Sequence, residues 1–401
     1  MRSVLIRKIN KLFIILFIFL SNSFQSAFSE IKVGLSFGFS GPIESLAPHM
    51  AESAELAFKE ASESGLFLNG KTITGIRIDT TCTNSESAVV AAKDIASKGV
   101  VAIIGGVCPG ITKAIVEQVS GPDGIVMISP GSNDINLIDL KYNNFFFRNT
   151  PSTARISQVL ADMTKDKKIE SVAITYSNDE NGKNIENFFK KALEAHGIKV
   201  TISLAHENNK EDYSSEVAAL ASAGGNAMAI IGYPYQGGKG IIQATIDSGA
   251  FNKFILSEEM IDQSLLNIFG KDMNKSFGIV AGSLGKAGIL FEKISKQNGI
   301  DSSSPFTRES YDAAALIILS IQAGKSSNRE IIAKNILNIA NYPGKKIYPG
   351  ELKKGLDLLA KGKQINYEGA SKLEFSENGE LIGSFLEKEV RNGKFKTLKQ
   401  R

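Results

Sequence analysis

The side chains that could bind a small molecule are concentrated in short loops rich in glycine, serine and asparagine. Three of these loops, in the first half of the chain, are residues 39–45, 107–112 and 129–133. Small residues let backbone amides approach a bound carboxylate, and hydroxyl or amide side chains can add hydrogen bonds. The alternative is that these residues serve only the local turns. The candidate ligand-binding residues are Ser45, Cys108, Pro109, Gly110, Thr112, Ser129, Gly131, Ser132 and Asn133.

Loops in the second half of the chain carry complementary side chains. These loops are residues 176–182, 232–238 and 257–260. The carboxylate of Glu259 could pair with a ligand ammonium group, and the rings of Tyr233 and Tyr235 could line the apolar side of a pocket. Glu258 and Glu259 are equally suited to the first turn of a following helix, where negative charge is stabilised. The candidate residues here are Asn181, Tyr233, Tyr235 and Glu259.

Signatures of catalysis and of metal binding are weak. The run Gly237-Gly238-Lys239-Gly240 lacks the Ser or Thr that follows the lysine of a phosphate-binding loop. The chain contains no Gly-x-Ser-x-Gly motif and no Cys-x-x-Cys pair, and its histidines, His49, His196 and His206, are scattered. We therefore expect a binding protein that is not an enzyme and that needs neither a cofactor nor a metal.

The elements that position these loops follow an alternating pattern. Short apolar, β-branched runs alternate with amphipathic helical stretches from Ile31 to about Tyr342, which predicts an α/β fold with parallel sheets. The predicted strands are Lys32–Ser36, Gly75–Thr80, Val100–Ile104, Ile125–Ser129, Ser171–Tyr176, Lys199–Leu204, Ala227–Gly232 and Lys253–Ser257. Each of the six loops follows one of these strands, and ligands of parallel sheets bind beyond the carboxyl ends of strands.

Three interruptions of this pattern predict two lobes. Phe145–Pro151 breaks the first series of strands, a glycine-punctuated stretch follows at Gly278–Gly288, and the tail Ile365–Phe395 predicts a hairpin that turns at Glu377-Asn378-Gly379. We assign residues 30–148 and 281–371 to lobe 1, and residues 149–280 and 372–401 to lobe 2. A chain of this length exceeds one ordinary core, and discontinuous lobes suit hinge closure around a ligand.

The first 29 residues have the features of an export signal. Basic residues precede the apolar run Leu12–Leu20, and the segment ends in small residues at Ser29. The alternative, a membrane anchor, needs about 20 apolar residues, far more than this run contains. We expect cleavage after Ser29 and a periplasmic location.

The charge balance argues against a nucleic-acid partner. The leader holds four basic residues, Arg2, Arg7, Lys8 and Lys11, and no acidic ones. Subtracting these four from 46 leaves 42 basic residues against 42 acidic ones in the rest of the chain. A nucleic-acid surface needs concentrated positive charge, so we expect no such partner.

The chain has two cysteines, Cys82 and Cys108, and each follows a predicted strand. In an oxidising compartment a lone pair of cysteines favours a disulfide over two free thiols. If the two strands are neighbours in a parallel sheet, the cysteines lie within bridging distance.

The order of these motifs resembles the type I periplasmic binding proteins of the branched-chain amino-acid and amide transporter class. The motifs are Ile31-Lys-Val-Gly-Leu, Ser40-Gly-Pro, Gly105-Gly106 flanked by Cys82 and Cys108, Ile128-Ser-Pro, Phe147-Arg-Asn-Thr, Asp212-Tyr-Ser, Gly232-Tyr, Ser310-Tyr-Asp-Ala-Ala and Tyr367-Glu-Gly-Ala. The resemblance covers nearly all of the chain after the leader. It implies two Rossmann-like lobes joined by three crossovers, a disulfide at the cysteine pair, and a monomer that delivers its solute to the permease subunits of an ABC transporter in the inner membrane.

The resemblance also implies roles for the loop residues. It places the ligand carboxylate at residues 108–112 and 129–133, and the ammonium group at Glu259 beside Tyr233. Two positions depart from the family pattern: Pro109 stands where a hydroxyl residue is usual, and Asn181 stands where many members have an aromatic. The expected ligand is therefore an amino acid, an amide or another small organic solute. A ligand sensor that feeds a signalling receptor is the alternative to a transport component.

Overall fold

The computed structural model describes residues 30–142, 144–341, 343–375 and 381–401. The predicted leader and the predicted turn at Glu377-Asn378-Gly379 lie outside these ranges. The described chain forms two large sheets covered by helices, together with one small two-stranded sheet.

The first sheet contains five parallel strands in the order β2-β1-β3-β4-β5. Its strands are β1 (Ile31–Phe37), β2 (Ile73–Asp79), β3 (Ala102–Gly105), β4 (Val126–Ser129) and β5 (Phe146–Arg148). The first four match the prediction. The fifth was not predicted, because three residues followed by a polar turn do not establish a strand pattern by themselves.

The second sheet begins with five more parallel strands. They are β6 (Ser171–Ser177), β7 (Lys199–His206), β8 (Ala227–Ile231), β9 (Phe254–Leu256) and β10 (Phe277–Ala281). The last of these lies partly inside the stretch that the sequence pattern assigned to a crossing, so the crossing begins only after Ala281. Its alternating glycine and apolar residues were insufficient to distinguish a short buried strand from a connection.

The final strands complete the architecture. β11 (Lys345–Ile347) and β12 (Ile365–Tyr367) form the small sheet, whereas β13 (Phe385–Arg391) and β14 (Lys394–Gln400) join the second large sheet. β13 pairs antiparallel with β10, and β14 pairs antiparallel with β13. The order of the second sheet is therefore β14-β13-β10-β9-β8-β6-β7.

The tail hairpin turns at Asn392-Gly393, where both residues have positive φ. An Asn-Gly pair suits this position because both central residues of a type I′ turn need a left-handed backbone. The turn predicted at Asn378-Gly379 is a different one: it lies outside the described ranges, between Phe375 and Leu381, which form an isolated antiparallel bridge. The hairpin of β13 and β14, with its turn at Asn392-Gly393, was not predicted.

Helices cover both large sheets. Within the described ranges they are α1 (Ala47–Glu63), α2 (Ser85–Ser97), α3 (Pro109–Ile115), α4 (Thr153–Asp166), α5 (Glu180–Ala195), α6 (Ser214–Ala223), α7 (Gly238–Ser248), α8 (Gln263–Phe269), α9 (Lys286–Gln297), α10 (Thr307–Gly324), α11 (Arg329–Ala340) and α12 (Leu352–Ala360). α10 is buried from Thr307 to Gln322 and packs along α1, so it forms the centre of the first lobe's helical layer. Helices that are apolar on all sides need such central positions.

The chain passes between the two large sheets three times: after β5, after β10 and before β13. This arrangement confirms the predicted fold of two α/β lobes joined by three crossovers. The exact lobe boundaries given by the sequence remain predictions.

A disulfide joins Cys82 and Cys108, whose Cα atoms are 5.5 Å apart, and no free cysteine occurs in the described part of the chain. The predicted pairing is therefore confirmed. The geometry differs from the expectation in one respect: β2 and β3 are not neighbours but lie on either side of β1. The bridge consequently spans the carboxyl end of β1 and ties together the loops on both sides of it.

Candidate functional site

The candidate site lies where the strand-end loops of the two lobes meet. Ser45, after β1, donates its hydroxyl to Asp262 Oδ2 in the second lobe at 2.7 Å. Asn184, on α5, donates to Asp134 Oδ2 in the first lobe at 2.7 Å. These two bonds cross between the lobes, so the loops that follow the strands of both sheets face one another.

Hydroxyl groups tie two first-lobe loops into one unit. Thr112 Oγ1 and Ser132 Oγ are 2.5 Å apart, and both side chains are fully buried. Ser129 Oγ donates to the carbonyl oxygen of Gly106 and accepts the backbone N–H of Ser132. The loops after β3 and β4 are therefore held in register by the predicted residues themselves.

The loop after β3 begins α3 with the sequence Cys108-Pro109-Gly110. Pro109 occupies the first turn, where its missing N–H is not needed for the helix. The disulfide anchors Cys108 directly before it. Gly110 faces the second lobe: a Cβ atom at this position would lie 3.7 Å from Glu180 Oε2. Backbone of the first lobe thus comes within contact distance of a second-lobe carboxylate.

Two other predicted first-lobe residues have structural partners. Asn133 accepts hydrogen bonds from Thr153 at both its backbone and side-chain oxygens, with Thr153 Oγ1 to Asn133 Oδ1 at 3.0 Å. This contact lies at the first crossing between lobes. Gly131 lies against Phe306 and Val107, where a Cβ atom would be only 2.6 Å from Val107 Cγ1. Position 131 therefore requires glycine for close packing.

The second-lobe residues form a second cluster. Asn181 Nδ2 donates to the Tyr233 hydroxyl at 3.2 Å, and Asn181 and Ser257 both bond to the carboxylate of Glu259. Tyr233 is buried and packs against the first lobe's core, whereas Tyr235 is 43% exposed. The structure thus groups Asn181, Tyr233 and Glu259, and leaves Tyr235 at the surface.

Burial controls the electrostatics of this cluster. It raises the pKa of Glu259, an effect that the hydrogen bonds from Ser257 and Asn181 partly oppose. Burial, followed by the charges of Asp179 and Glu259, raises the pKa of Tyr233 well above its usual value. The cluster therefore favours a bound group that carries positive charge.

The neighbouring glutamate is oriented differently. Glu258 Oε1 accepts the backbone N–H of Ala281 at the end of β10, at 2.8 Å. Burial raises the pKa of Glu258 to about 8. Neither glutamate caps the next helix, because Asp262 performs that role by accepting from Ser264 N at 2.7 Å. The two adjacent acids thus have different surroundings: Glu258 bonds to the backbone where the chain leaves β10, and Glu259 lies in the cleft between the lobes.

Several residues of the cleft were not predicted from the sequence. They lie at loop ends or within the first five residues of a helix, and they are Asp134, Asp179, Glu180, Asn184 and Asp262. Asp134, Asp179 and Asp262 accept backbone N–H groups two or three residues onward, which is a recognisable capping pattern. Capping was therefore the available signal, although it does not predict that Asp134 and Asp262 also bond across the cleft.

Two cavities remain between the lobes. A space of about 220 Å³ is lined by Ser45 and His49 from one lobe and by Asp262 and Lys388 from the other, among other residues. Another, of about 410 Å³, is bounded by Asp134, Asn136, Glu180, Lys183 and Asn184. These cavities lie beside the hydrogen bonds that join the lobes: Ser45 and Asp262 line the first, and Asp134 and Asn184 line the second.

Comparison with known proteins places this architecture in a family. The model of the periplasmic binding protein family matches residues 30–352. The chain belongs to that family, whose members bind substrates, so it is a substrate-binding protein and not an enzyme. Among the described residues, no helix is long and apolar enough to cross a membrane.

Characterised relatives share modest identity over much of the chain. Leu/Ile/Val-binding protein homolog 1 of Brucella abortus is 26% identical over 77% of this chain and 82% of its own length. The Brucella melitensis homologue is 27% identical, but that match spans only 65% of its length and 61% of this chain. The chemotactic signal transduction system substrate-binding protein BasB of Halobacterium salinarum is 22% identical over 85% of this chain and 82% of its own length.

Solved structures show the same fold. The substrate-binding protein LivJ of Streptococcus pneumoniae, in complex with isoleucine, superposes with a TM-score of 0.77 at 16% identity, covering 93% of this chain and 99% of its own. A solute-binding protein of R. palustris in complex with benzoate gives 0.74 at 17% identity, covering 93% and 96%. At such low identity the likeness concerns the fold, which accommodates chemically different ligands.

Proposed function

We propose that this protein captures an amino acid between its lobes in the periplasm and delivers it to the permease of an ABC transporter. The observation that supports this ligand class best is the buried carboxylate of Glu259, which lies beside Tyr233 and Asn181. A buried negative charge is strongly stabilised by a paired cation. The ligand ammonium group supplies that cation.

The ligand carboxylate is assigned to the loops after β3 and β4. Thr112 and Ser132 direct their hydroxyls toward one another and toward the carbonyl oxygens of Cys108 and Gly106. Either hydroxyl can rotate away from its carbonyl acceptor and donate to the ligand carboxylate instead. The carboxylate is charged, so this hydrogen bond is the stronger one. Gly110 and Gly131 leave space for the ligand to approach the backbone.

An aromatic acid is the less suitable ligand. Benzoate carries only a negative charge, and Glu259 would oppose it without a compensating cation. Asn181 adds a polar group beside Tyr233, where the family resemblance predicts an aromatic side chain. We therefore infer that the bound amino acid is small or polar rather than a bulky aliphatic one.

Calorimetry and thermal-shift measurements test this ligand class. L-Alanine and L-threonine should each raise the melting temperature by mass action, L-leucine should raise it less, and benzoate should not raise it. Two matched analogues of threonine separate the ends of the site: threoninamide lacks the carboxylate, and 3-hydroxybutyrate lacks the ammonium group. Each should bind at least about 100-fold more weakly, as expected when a buried charge loses its partner. Binding of benzoate without binding of any amino acid would refute the proposal.

A sensory role is the second candidate, because the Halobacterium salinarum relative is a substrate-binding protein of a chemotactic signal transduction system. The two roles differ in their consequences for the cell. If the protein feeds a permease, deleting its gene should abolish uptake of the labelled amino acid. If it feeds a receptor, uptake should persist while the cell's response to a gradient of that amino acid is lost.

Export and lobe boundaries belong to the same proposal. We infer that the leader, residues 1–29, is removed and that the released protein is a monomer with lobes at residues 30–148 plus 281–371 and 149–280 plus 372–401. Amino-terminal sequencing of the exported protein should begin at Glu30. Sedimentation should give a single species of monomer mass.

A further inference from the structure

The loop that carries Tyr233 lies on two buried aromatic rings. One is His206, the last residue of β7, and the other is Tyr213, immediately before α6. Their ring centroids are 6.2 Å apart and their planes meet at 83°. The loop runs from Gly232 to Gly238 and leads directly into α7. The rings therefore form a support beneath the segment that delivers Tyr233 to the site.

Glycines mark the points where this segment contacts the rings. A Cβ atom on Gly237 would lie 2.7 Å from His206 Cδ2, and one on Gly240 would lie 2.5 Å from Tyr213 Cδ2. A Cβ atom on Gly232 would lie 3.2 Å from His206 Nε2. At these distances any larger residue would have to displace the ring or the loop. Gly237 and Gly240 thus reflect packing on the rings, whereas Gly238 lies against Met260.

Both rings are themselves held by hydrogen bonds. His206 Nδ1 is 2.9 Å from Thr175 Oγ1 on β6. The Tyr213 hydroxyl donates to the carbonyl oxygen of Glu207 and accepts the backbone N–H of Lys210, at 2.9 and 3.0 Å. The two rings are therefore fixed to the second sheet and to the turn after β7, and they do not move together with the Gly232–Gly238 loop.

We propose that His206 and Tyr213 are positioning residues for ligand binding: they set the position of the Gly232–Gly238 loop and thereby hold Tyr233 against Asn181. Neither ring touches the proposed ligand. The effect on ligand affinity rests on the proposed function of the cleft, whereas the effect on the position of Tyr233 does not.

Fluorine NMR tests the positioning without any ligand. Replacing the nine tyrosines by 3-fluorotyrosine gives resonances that report each ring's surroundings, and the signal missing in Tyr233→Phe identifies Tyr233. His206→Ala should shift or broaden this signal. His196→Ala is the matched control, because His196 bonds to Asp162 on the α4–α5 side of the lobe and should leave it unchanged. An unchanged Tyr233 signal in folded His206→Ala protein would overturn the proposal.

A double-mutant cycle tests the contact itself. Gly232→Ala should weaken binding of L-threonine about tenfold when His206 is present, because the new Cβ atom presses on the imidazole. In the His206→Ala background the same change should cost roughly twofold or less. Fully additive losses would show that the ring and the glycine act independently, and would contradict the inference.

Tyrosine variants separate the ring from its hydroxyl. Tyr213→Phe keeps the ring and should retain affinity within about twofold, whereas Tyr213→Ala should lose about tenfold. Equal losses in the two variants would contradict a role for the ring. If the alanine variants do not fold, Gly232→Ala alone must still move the Tyr233 fluorine signal. If that signal moves but L-threonine never binds, the positioning stands and the proposed ligand is wrong.

Discussion

Replacing Glu259 by glutamine should change affinity and stability in opposite directions. Glu259 is only 6% exposed and receives hydrogen bonds from Asn181 and Ser257. Glutamine preserves the size of the side chain and removes only its charge. The variant therefore isolates the electrostatic contribution of this position from its packing.

The expected loss of affinity follows from the bond to the ligand ammonium group. A hydrogen bond with a charged partner contributes about 1.5–3 kcal/mol, which corresponds to an increase in Kd of about 10- to 150-fold. The expected gain in stability follows from burial, which raises the pKa of Glu259 in the folded protein. An acid whose pKa is raised by folding contributes its full stability only below its unfolded pKa, and that contribution is lost as pH rises through the folded pKa. At neutral pH the ligand-free glutamine variant should therefore unfold at a higher temperature.

Calorimetry with L-threonine and thermal unfolding without ligand measure the two effects. Glu258→Gln is the matched control, because Glu258 is equally buried but bonds to the backbone of Ala281. The control should also gain stability while its affinity stays within about twofold of wild type. An unchanged Kd in Glu259→Gln would refute the assigned role, and a fall in the stability of the ligand-free variant would refute the electrostatic reasoning.

Three other perturbations have defined outcomes. Cys82→Ser should lower the free energy of unfolding by about 3 kcal/mol, because the bridge to Cys108 closes a loop of 26 residues, as urea denaturation can measure. Ser45→Ala should raise the Kd for L-threonine about fivefold, mainly through faster dissociation in stopped-flow traces, because it removes the bond to Asp262. Burial raises the pKa of Glu258 from 4.5 to about 8, so its stabilising proton is retained at low pH and lost as pH rises through about 8. The free energy of unfolding should therefore fall between about pH 5 and pH 9, by at most about 1.4 kcal/mol per pH unit, and the melting temperature should fall with it, both less steeply in Glu258→Gln.

Much of the fold was accessible from the sequence because local patterns determine it. All eight predicted strands are present, and their apolar runs end where the loops begin. β5 and β10 were missed because a strand of three to five residues, with glycine or a polar turn beside it, has no distinct periodicity. The tail turn predicted at Asn378-Gly379 lies outside the described ranges and stays a prediction. The hairpin of β13 and β14 was missed, although its turn at Asn392-Gly393 is an Asn-Gly pair of the kind that indicates a hairpin.

The candidate site was accessible only in part. Strand-end loops could be located from the alternation of elements, and the structure brings Thr112 close to Ser132 and Tyr233 close to Asn181. Contacts between the lobes depend on how two separate sheets are oriented, and no local pattern encodes that orientation. Asp262 and Asp134 were therefore missed as partners across the cleft. The assigned ligand contacts remain predictions until binding is measured.

The three crossings also constrain the order in which this protein can fold. β10 pairs on one side with β9 and on the other with β13, and between β10 and β13 the chain returns to the first lobe. During synthesis, the first lobe therefore lacks its central helix until α10 has been made. The second lobe lacks its outer strands, β13 and β14, until the last residues have been made. Contacts between such distant segments form slowly. Slow formation of these contacts is compatible with the export proposed above, because an exported chain crosses the membrane before it becomes compact.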